Sequence, residues 1–156
     1  MEGFSRSNGF DLADVNQRQA MINHIATEYD CFINNAYPFR SDDLNSGYAQ
    51  VDLLNRLWCA WKGHNKVIVN IGSDSSDIVK RRFHPYSIHK KALADTCIQL
   101  RTTSPLPHVV LLRPGYVDTS LTASIDAPKL NPQKVADIVL YILHAPLKIN
   151  DVSFTV

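Results

Sequence analysis

Two uninterrupted runs, Lys66-Val67-Ile68-Val69-Asn70-Ile71 and His108-Val109-Val110-Leu111-Leu112-Arg113, constrain the fold more than any other feature of the chain. A strand wetted on one face alternates apolar and polar residues. These runs do not alternate, so they read as strands covered on both sides, which is the signature of a parallel sheet. Asp30-Cys31-Phe32-Ile33-Asn34 and Asp151-Val152-Ser153-Phe154-Thr155-Val156 read as two further strands. The segments between carry helical spacing. Ala13 to Glu28 places Val15, Ala20, Met21, Ile22 and Ile25 near one face, with Asp14 as a cap, and Tyr48 to Trp61 does the same with Val51, Leu54, Leu57, Trp58 and Trp61. Pro85 suits the first turn of a helix running to about Thr102, and Pro132 opens one that ends near His144, before Pro146. Strands alternating with helices imply βαβ units. The expected fold is therefore α/β: a doubly wound, Rossmann-like parallel sheet with right-handed crossovers and helices on both faces, in one domain over residues 1–156.

A chain of 156 residues is long enough to fold on one core. Lys and Arg number 16 against 15 Asp and Glu, a net charge of +1, which gives no surface for tracking a polyanion. No nucleic-acid partner is expected, and Lys80-Arg81-Arg82 reads as a solvated loop. Cys31, Cys59 and Cys97 are odd in number, far apart and set in apolar stretches, so they read as reduced core thiols. No apolar run approaches the roughly 20 residues needed to span a bilayer, and Met1-Glu2-Gly3-Phe4-Ser5-Arg6 has no signal-peptide pattern. A cytoplasmic protein without a membrane partner is expected.

In doubly wound sheets ligands bind beyond the carboxyl ends of the strands. The residues there are Asn34-Asn35-Ala36, Gly72-Ser73-Asp74-Ser75-Ser76 and Pro114-Gly115-Tyr116-Val117-Asp118-Thr119. Tyr86 and Lys90 stand four apart at the start of a helix, so their side chains share a face. A phenol with an ordinary pKa near 10 is a poor acid or base at neutral pH until nearby positive charge stabilises its phenolate. Lys90 would supply that charge, and Ser73 could hydrogen-bond the same substrate carbonyl that Tyr86 protonates.

On these residues the chain resembles the short-chain dehydrogenase/reductase family over nearly its whole length. Asn34-Asn35-Ala36 is similar to the family's NNAG, Val69-Asn70-Ile71-Gly72-Ser73 to its strand with the active-site serine, Tyr86 and Lys90 to its YxxxK, and Pro114-Gly115 with Thr119 to its PGxxxT. The four stand in the family's order, with Ser73 thirteen residues before Tyr86. The resemblance implies an NAD(P)-dependent oxidoreductase that moves a hydride between nicotinamide and a small carbonyl or alcohol substrate. Tyr86 would be the proton donor or acceptor, Lys90 would lower its pKa and bind the nicotinamide ribose, and Ser73 would polarise the carbonyl. Asn34 and Ala36 would line the cofactor groove, and Pro114, Gly115, Val117 and Thr119 would contact the nicotinamide end. Ser5-Arg6-Ser7 resembles the turn where an Arg pairs with an adenosine 2′-phosphate, which favours NADP over NAD. Asp11 would stand near the adenine. A homodimer or homotetramer, joined through the helices that begin at Tyr48 and Pro85, is also implied.

Three departures from the family pattern carry expectations of their own. The family's first strand and TGxxxGxG loop have no counterpart before Ser5, so the chain reads as N-terminally truncated, first strand and first helix missing, with Gly3 to Asp11 a stub of the second strand. The strand at Asp30 to Asn34 then loses a neighbour and exposes an edge. Tyr37 replaces the glycine of NNAG. Asp52 falls where the family usually has an asparagine that holds a relay water, and joins the catalytic set on that ground, with Asn55 as its possible substitute. The alternative function is a catalytically inactive remnant that binds nucleotide weakly or serves as an interaction module. His84 and His89 read as surface or cleft residues rather than metal ligands or hydrolase parts, and Trp58 and Trp61 as packing residues.

Overall fold

A computed structural model describes residues 2–38, 44–78 and 84–156. The principal elements are α1 (Val15–Glu28), β1 (Cys31–Asn34), α2 (Ala49–Trp61), β2 (Val67–Ile71), α3 (Pro85–Thr103), β3 (His108–Pro114), α4 (Pro132–His144) and β4 (Asp151–Phe154). Asp14 caps α1, its side chain accepting from the backbone N–H of Asn16 at 2.8 Å and of Gln17 at 3.1 Å. Pro85 and Pro132 sit in the first turns of α3 and α4, where the missing N–H costs nothing. These signals set the boundaries that the sequence led us to expect.

The strands form one parallel sheet in the order β1-β2-β3-β4, with Val67 opposite both Cys31 and His108. Side chains alternate between its faces. Ile68, Val109 and Leu111 pack against Met21, Ile22 and Ile25 of α1, Leu53, Leu54 and Leu57 of α2, and Leu93 and Cys97 of α3. Val69, Val110 and Leu112 pack on the other face against Val139 and Ile142 of α4. Both faces of the central strands are thus covered, which is why β2 and β3 read as continuous apolar runs. One expectation needs correcting. Each step across the sheet goes the same way, so right-handed crossovers alone would stack every connecting helix on one face. Helices α2 and α3 share one face, but α4 lies on the other, so its crossover has the hand opposite to theirs. Residues 115–131 carry the chain around the carboxyl edge to reach that face.

At the far side of the sheet β1 is an edge strand. Residues 2–12 run beside it without pairing, and their only regular element is a single 3-10 turn, Arg6–Asn8, so the expected strand stub at Gly3 to Asp11 is absent among the described residues. Local polar bonds and ring contacts shape this segment instead: Ser5 N–H donates to Asn8 Oδ1 at 2.7 Å, and Phe4 meets Phe10 edge-on at 5.0 Å. Between the segment and β1 lies a cavity of about 670 Å³ lined by Phe4, Phe10, Met21, Tyr29, Phe32 and Asn34, among others. The three cysteines are free thiols, but Cys59 lies on the exposed side of α2 and is not the core residue expected. Trp58 and Trp61 are buried as packing residues, with Trp61 Nε1 donating to Ala26 O at 3.2 Å. Among the described residues no helix is long and apolar enough to cross a membrane. Lys80-Arg81-Arg82 and the side chain of Arg6 lie outside the described residues.

Candidate active site

The site grows from the carboxyl end of β2. Gly72 N–H donates to Leu112 O at 2.6 Å, and a Cβ at Gly72 would stand 2.9 Å from Leu111 Cδ1 and 3.1 Å from that carbonyl, so the chain leaves the sheet where a side chain would be crowded. Ser73 follows, buried at the sheet rim, and its Oγ accepts from Ser75 N–H at 3.1 Å to cap a short turn over Asp74–Asp77. The start of α3 brings Tyr86 to the same place, close enough for the Ser73 hydroxyl, which donates to Asp74 Oδ1 at 3.2 Å, to act on its phenol. One helical turn on, Lys90 is 2% exposed and sets its Nζ 5.6 Å from the centre of the Tyr86 ring. Phenol, hydroxyl and ammonium from separate stretches of chain therefore converge.

Electrostatics at the site differ from expectation in one respect. Burial pushes the Lys90 ammonium down from 10.5 to about 7. Burial also raises the Tyr86 phenol above its ordinary value; the nearby Ser73 hydroxyl opposes that rise and the Asp74 carboxylate adds to it. The lowering of Tyr86 by Lys90 is thus not seen. An ammonium so poorly hydrated gives up its charge near neutrality, and its Nζ lies 5.6 Å from the centre of the Tyr86 ring.

Asn34, at the end of β1, is buried and acts as a brace. Its Nδ2 donates to Asn70 Oδ1 at 2.9 Å and to Gln50 O at 3.0 Å, while Asn70 Nδ2 reaches Val110 O at 3.2 Å, tying three strands together. Asn34 Oδ1 has no hydrogen-bond partner among the described residues. Ala36 is exposed and lines the cavity with Asn34 and Asn35. Pro114 is buried at the end of β3. Gly115 N–H donates to Phe154 O at 2.9 Å, and a Cβ there would lie 3.6 Å from Asp74 Oδ2, so this turn runs beside Ser73-Asp74. Val117 bridges to Leu130, and Thr119 is exposed with its N–H donating to Thr122 Oγ1 at 3.3 Å. Asp11 lines the cavity but spends Oδ1 on Ala13 N–H at 2.9 Å.

Asp52 does not join the site. It lies on the outer side of α2, where Arg18 Nε bonds its Oδ2 at 3.0 Å and Arg56 Nε its Oδ1 at 2.8 Å. Two residues along a helix turn the side chain through some 200°, so the residue that meets Lys90 is Gln50, whose Oε1 accepts from Nζ at 2.9 Å. Gln50 was not anticipated; its signal is a polar residue among Ala49, Leu53 and Leu54 on the apolar stripe. His89 was expected at a surface or cleft and is buried instead, with Nδ1 2.6 Å from the Tyr37 hydroxyl. The Tyr37 ring stands edge-on to Tyr86 at 5.1 Å and 5.4 Å from Lys90 Nζ, so the residue in the glycine position closes over the ammonium. Burial, and secondarily Tyr86, push the Tyr37 phenol up to about 12. His84 caps α3, accepting from Ser87 N–H at 3.3 Å. Among the described residues no group of three or more His, Cys, Asp or Glu could hold a metal.

No family model and no curated protein sequence matches the chain. Solved structures do. An alcohol dehydrogenase from the archaeon Thermococcus sibiricus, complexed with 5-hydroxy-NADP, superposes with a TM-score of 0.76 at 17% identity, over 93% of this chain and 72% of its own. A short-chain dehydrogenase from Burkholderia cenocepacia in complex with NADP gives 0.76 at 20% identity, over 94% and 73%. The fold is that of the short-chain dehydrogenases. A 4-hydroxyisoleucine dehydrogenase complexed with NADH and succinate is similar at a TM-score of 0.69 and 18% identity, over 94% of this chain and 77% of its own. Part of each of these short-chain dehydrogenase folds thus has no counterpart in the 156 residues.

The residues fit a nicotinamide cofactor at one end. Lys90 uses two of its three donors among the described residues, on Gln50 and on Ile71 O at 2.8 Å, and Tyr86 and Ser73 stand beside it. The adjoining cavity is of small-molecule size. Toward the phosphates the fit is poor. The only basic side chain lining the cavity among the described residues is Arg18, whose Nε bonds Asp52 and whose Nη1 bonds Leu12 O.

Proposed function

We propose that this chain carries the acid–base half of an NAD(P)-dependent oxidoreductase acting between a carbonyl and an alcohol. The observation that supports it most is the convergence of Ser73, Tyr86 and Lys90 at the ligand edge of the sheet, with Lys90 buried and its Nζ 5.6 Å from the centre of the phenol ring. A substrate carbonyl oxygen seated there takes one hydrogen bond from Ser73 and the phenolic proton of Tyr86; in the reverse direction the phenolate accepts the alcohol proton. Burial keeps Tyr86 protonated at neutral pH, which suits the reducing direction. Lys90 would hold the nicotinamide ribose, with Asn34 and Ala36 along the groove and Pro114, Gly115, Val117 and Thr119 toward the carboxamide. When bound, the nicotinamide supplies or takes up the hydride. Arg6 makes NADPH the form to try first, and the outer sides of α2 and α3 are the proposed dimer contact.

Tyr86→Phe tests this reading. It should lower NADPH-dependent carbonyl reduction by about 100-fold or more while cofactor binding stays largely intact. Retained turnover would overturn the assignment. The second reading, an inactive chain that binds nucleotide weakly, is favoured by the cavity's having a single basic side chain among the described residues, Arg18, already paired with Asp52. It predicts no turnover in either protein and no rise in melting temperature at millimolar NADPH.

A further inference from the structure

Gln50 is 2% exposed and uses its whole amide at the carboxyl edge of the sheet. Its Nε2 donates to Asn34 O at 2.7 Å, at the end of β1, and to Ile71 O at 3.2 Å, at the end of β2. Its Oε1 accepts from Lys90 Nζ at 2.9 Å. The two donor bonds fix the orientation of the amide, so the acceptor can only be the atom aimed at Lys90. Ile71 O accepts from both side chains, closing a small polar ring beside the Tyr86 and Tyr37 rings.

We propose that Gln50 is the positioning residue of Lys90: it locks the ammonium against the Tyr86 ring by a direct side-chain bond and, being neutral, holds it in place without an ion pair. The inference rests on the proposed acid–base role of Lys90 and adds the group that sets its place and charge. The groups facing Nζ are the Tyr86 phenol on its own helix, with Ser73 against it; Tyr37 on the stretch after β1, bonded to His89; and Gln50 on α2. The nearest carboxylate influence in the cluster, Asp74, acts on Tyr86, and among the described residues no ion pair involves Lys90. An acceptor on an ammonium favours its charged form. Gln50 therefore counteracts the burial that drives Lys90 down to about 7, and a carboxylate in its place would do so far more strongly.

The test needs neither turnover nor cofactor. In protein labelled with 13C at lysine Cε, the titration midpoint of Lys90 should fall by about one unit or more in Gln50→Leu and rise by about one unit or more in Gln50→Glu, each a tenfold change in the protonation equilibrium. Melting temperature is recorded alongside. If both variants melt lower while the Lys90 midpoint stays put, Gln50 is only a strand brace and the proposal is overturned. Should the variants not fold, side-chain labelling of the wild-type protein decides: a nuclear Overhauser contact between Lys90 Hε and Gln50 Hγ supports the bond, and its absence in a folded sample overturns it. Failure of NADPH to bind would count against the proposed function and leave this readout untouched.

Discussion

The two sides of the sheet are finished to different degrees. At β3, Val109, Val110, Leu111 and Leu112 are each no more than 1% exposed, sealed between α3 on one face and α4 on the other. At β1, three of four residues are only half-buried, and the outer edge looks into a cavity of about 670 Å³. Ser73, Tyr86, Lys90 and Gln50 are anchored on β2, α2 and α3, in the sealed part. The groups expected to meet the rest of a dinucleotide, Asp11 and Ala36, line the open part. The proposed acid–base cluster can therefore be formed while the proposed cofactor cradle is not, and the two should respond to perturbation separately.

The sharpest way to break the comparison is by truncating side chains on each side. Leu111→Ala should cost about 3 kcal/mol in equilibrium unfolding, whereas Phe10→Ala, beside a cavity that already exists, should cost about 1 kcal/mol. Equal costs would mean that the open side is packed as tightly as the sealed one. Next in size is the pH dependence of Lys90. Its folded pKa of about 7 lies below the 10.5 of free lysine, so the stability it allows is fullest above 10.5 and falls as pH drops to about 7. Relative to wild type, Lys90→Met should gain roughly 3 kcal/mol in unfolding free energy between pH 10 and pH 7. A pH-independent difference would place the ammonium in water.

A smaller effect separates the two faces of α2. Asp52→Asn removes a half-exposed carboxylate from Arg18 and Arg56 and should cost about 1 kcal/mol or less, leaving the Lys90 titration unmoved. A shift in that titration would return Asp52 to the site. Amide exchange gives the finest contrast. Cys31 and Ile33 turn their backbone groups to the open edge, so their N–H groups should exchange faster than those of Val69 and Val110, which are bonded inside the sheet.

Much of this was legible in the chain because burial on both faces leaves its own mark. β2 and β3 could be read from unbroken apolar runs, α1 from its capping Asp14, and α3 and α4 from Pro85 and Pro132. The pattern says that both faces are covered but not by which helix, so the opposite hand of the α4 crossover was invisible. Motif spacing pointed to Ser73, Tyr86 and Lys90, which the fold brings together, and to Asp52, which faces Arg18 and Arg56, whereas the α2 residue bonded to Lys90 is Gln50, two positions away and on the opposite side of the helix. Tyr37 and His89 meet across 52 positions of sequence, a contact no local pattern encodes. The stub expected before α1 failed for a simpler reason: a strand needs a partner, and residues 2–12 have none in the sheet.

The most direct measurement follows the Lys90 Cε resonance as NADPH is added. If Lys90 and Tyr86 form the nicotinamide end of a working site, the signal shifts saturably with cofactor, and Tyr86→Phe keeps the shift while losing carbonyl reduction. A Lys90 resonance that stays unchanged at millimolar NADPH, in a protein that remains folded, would contradict it.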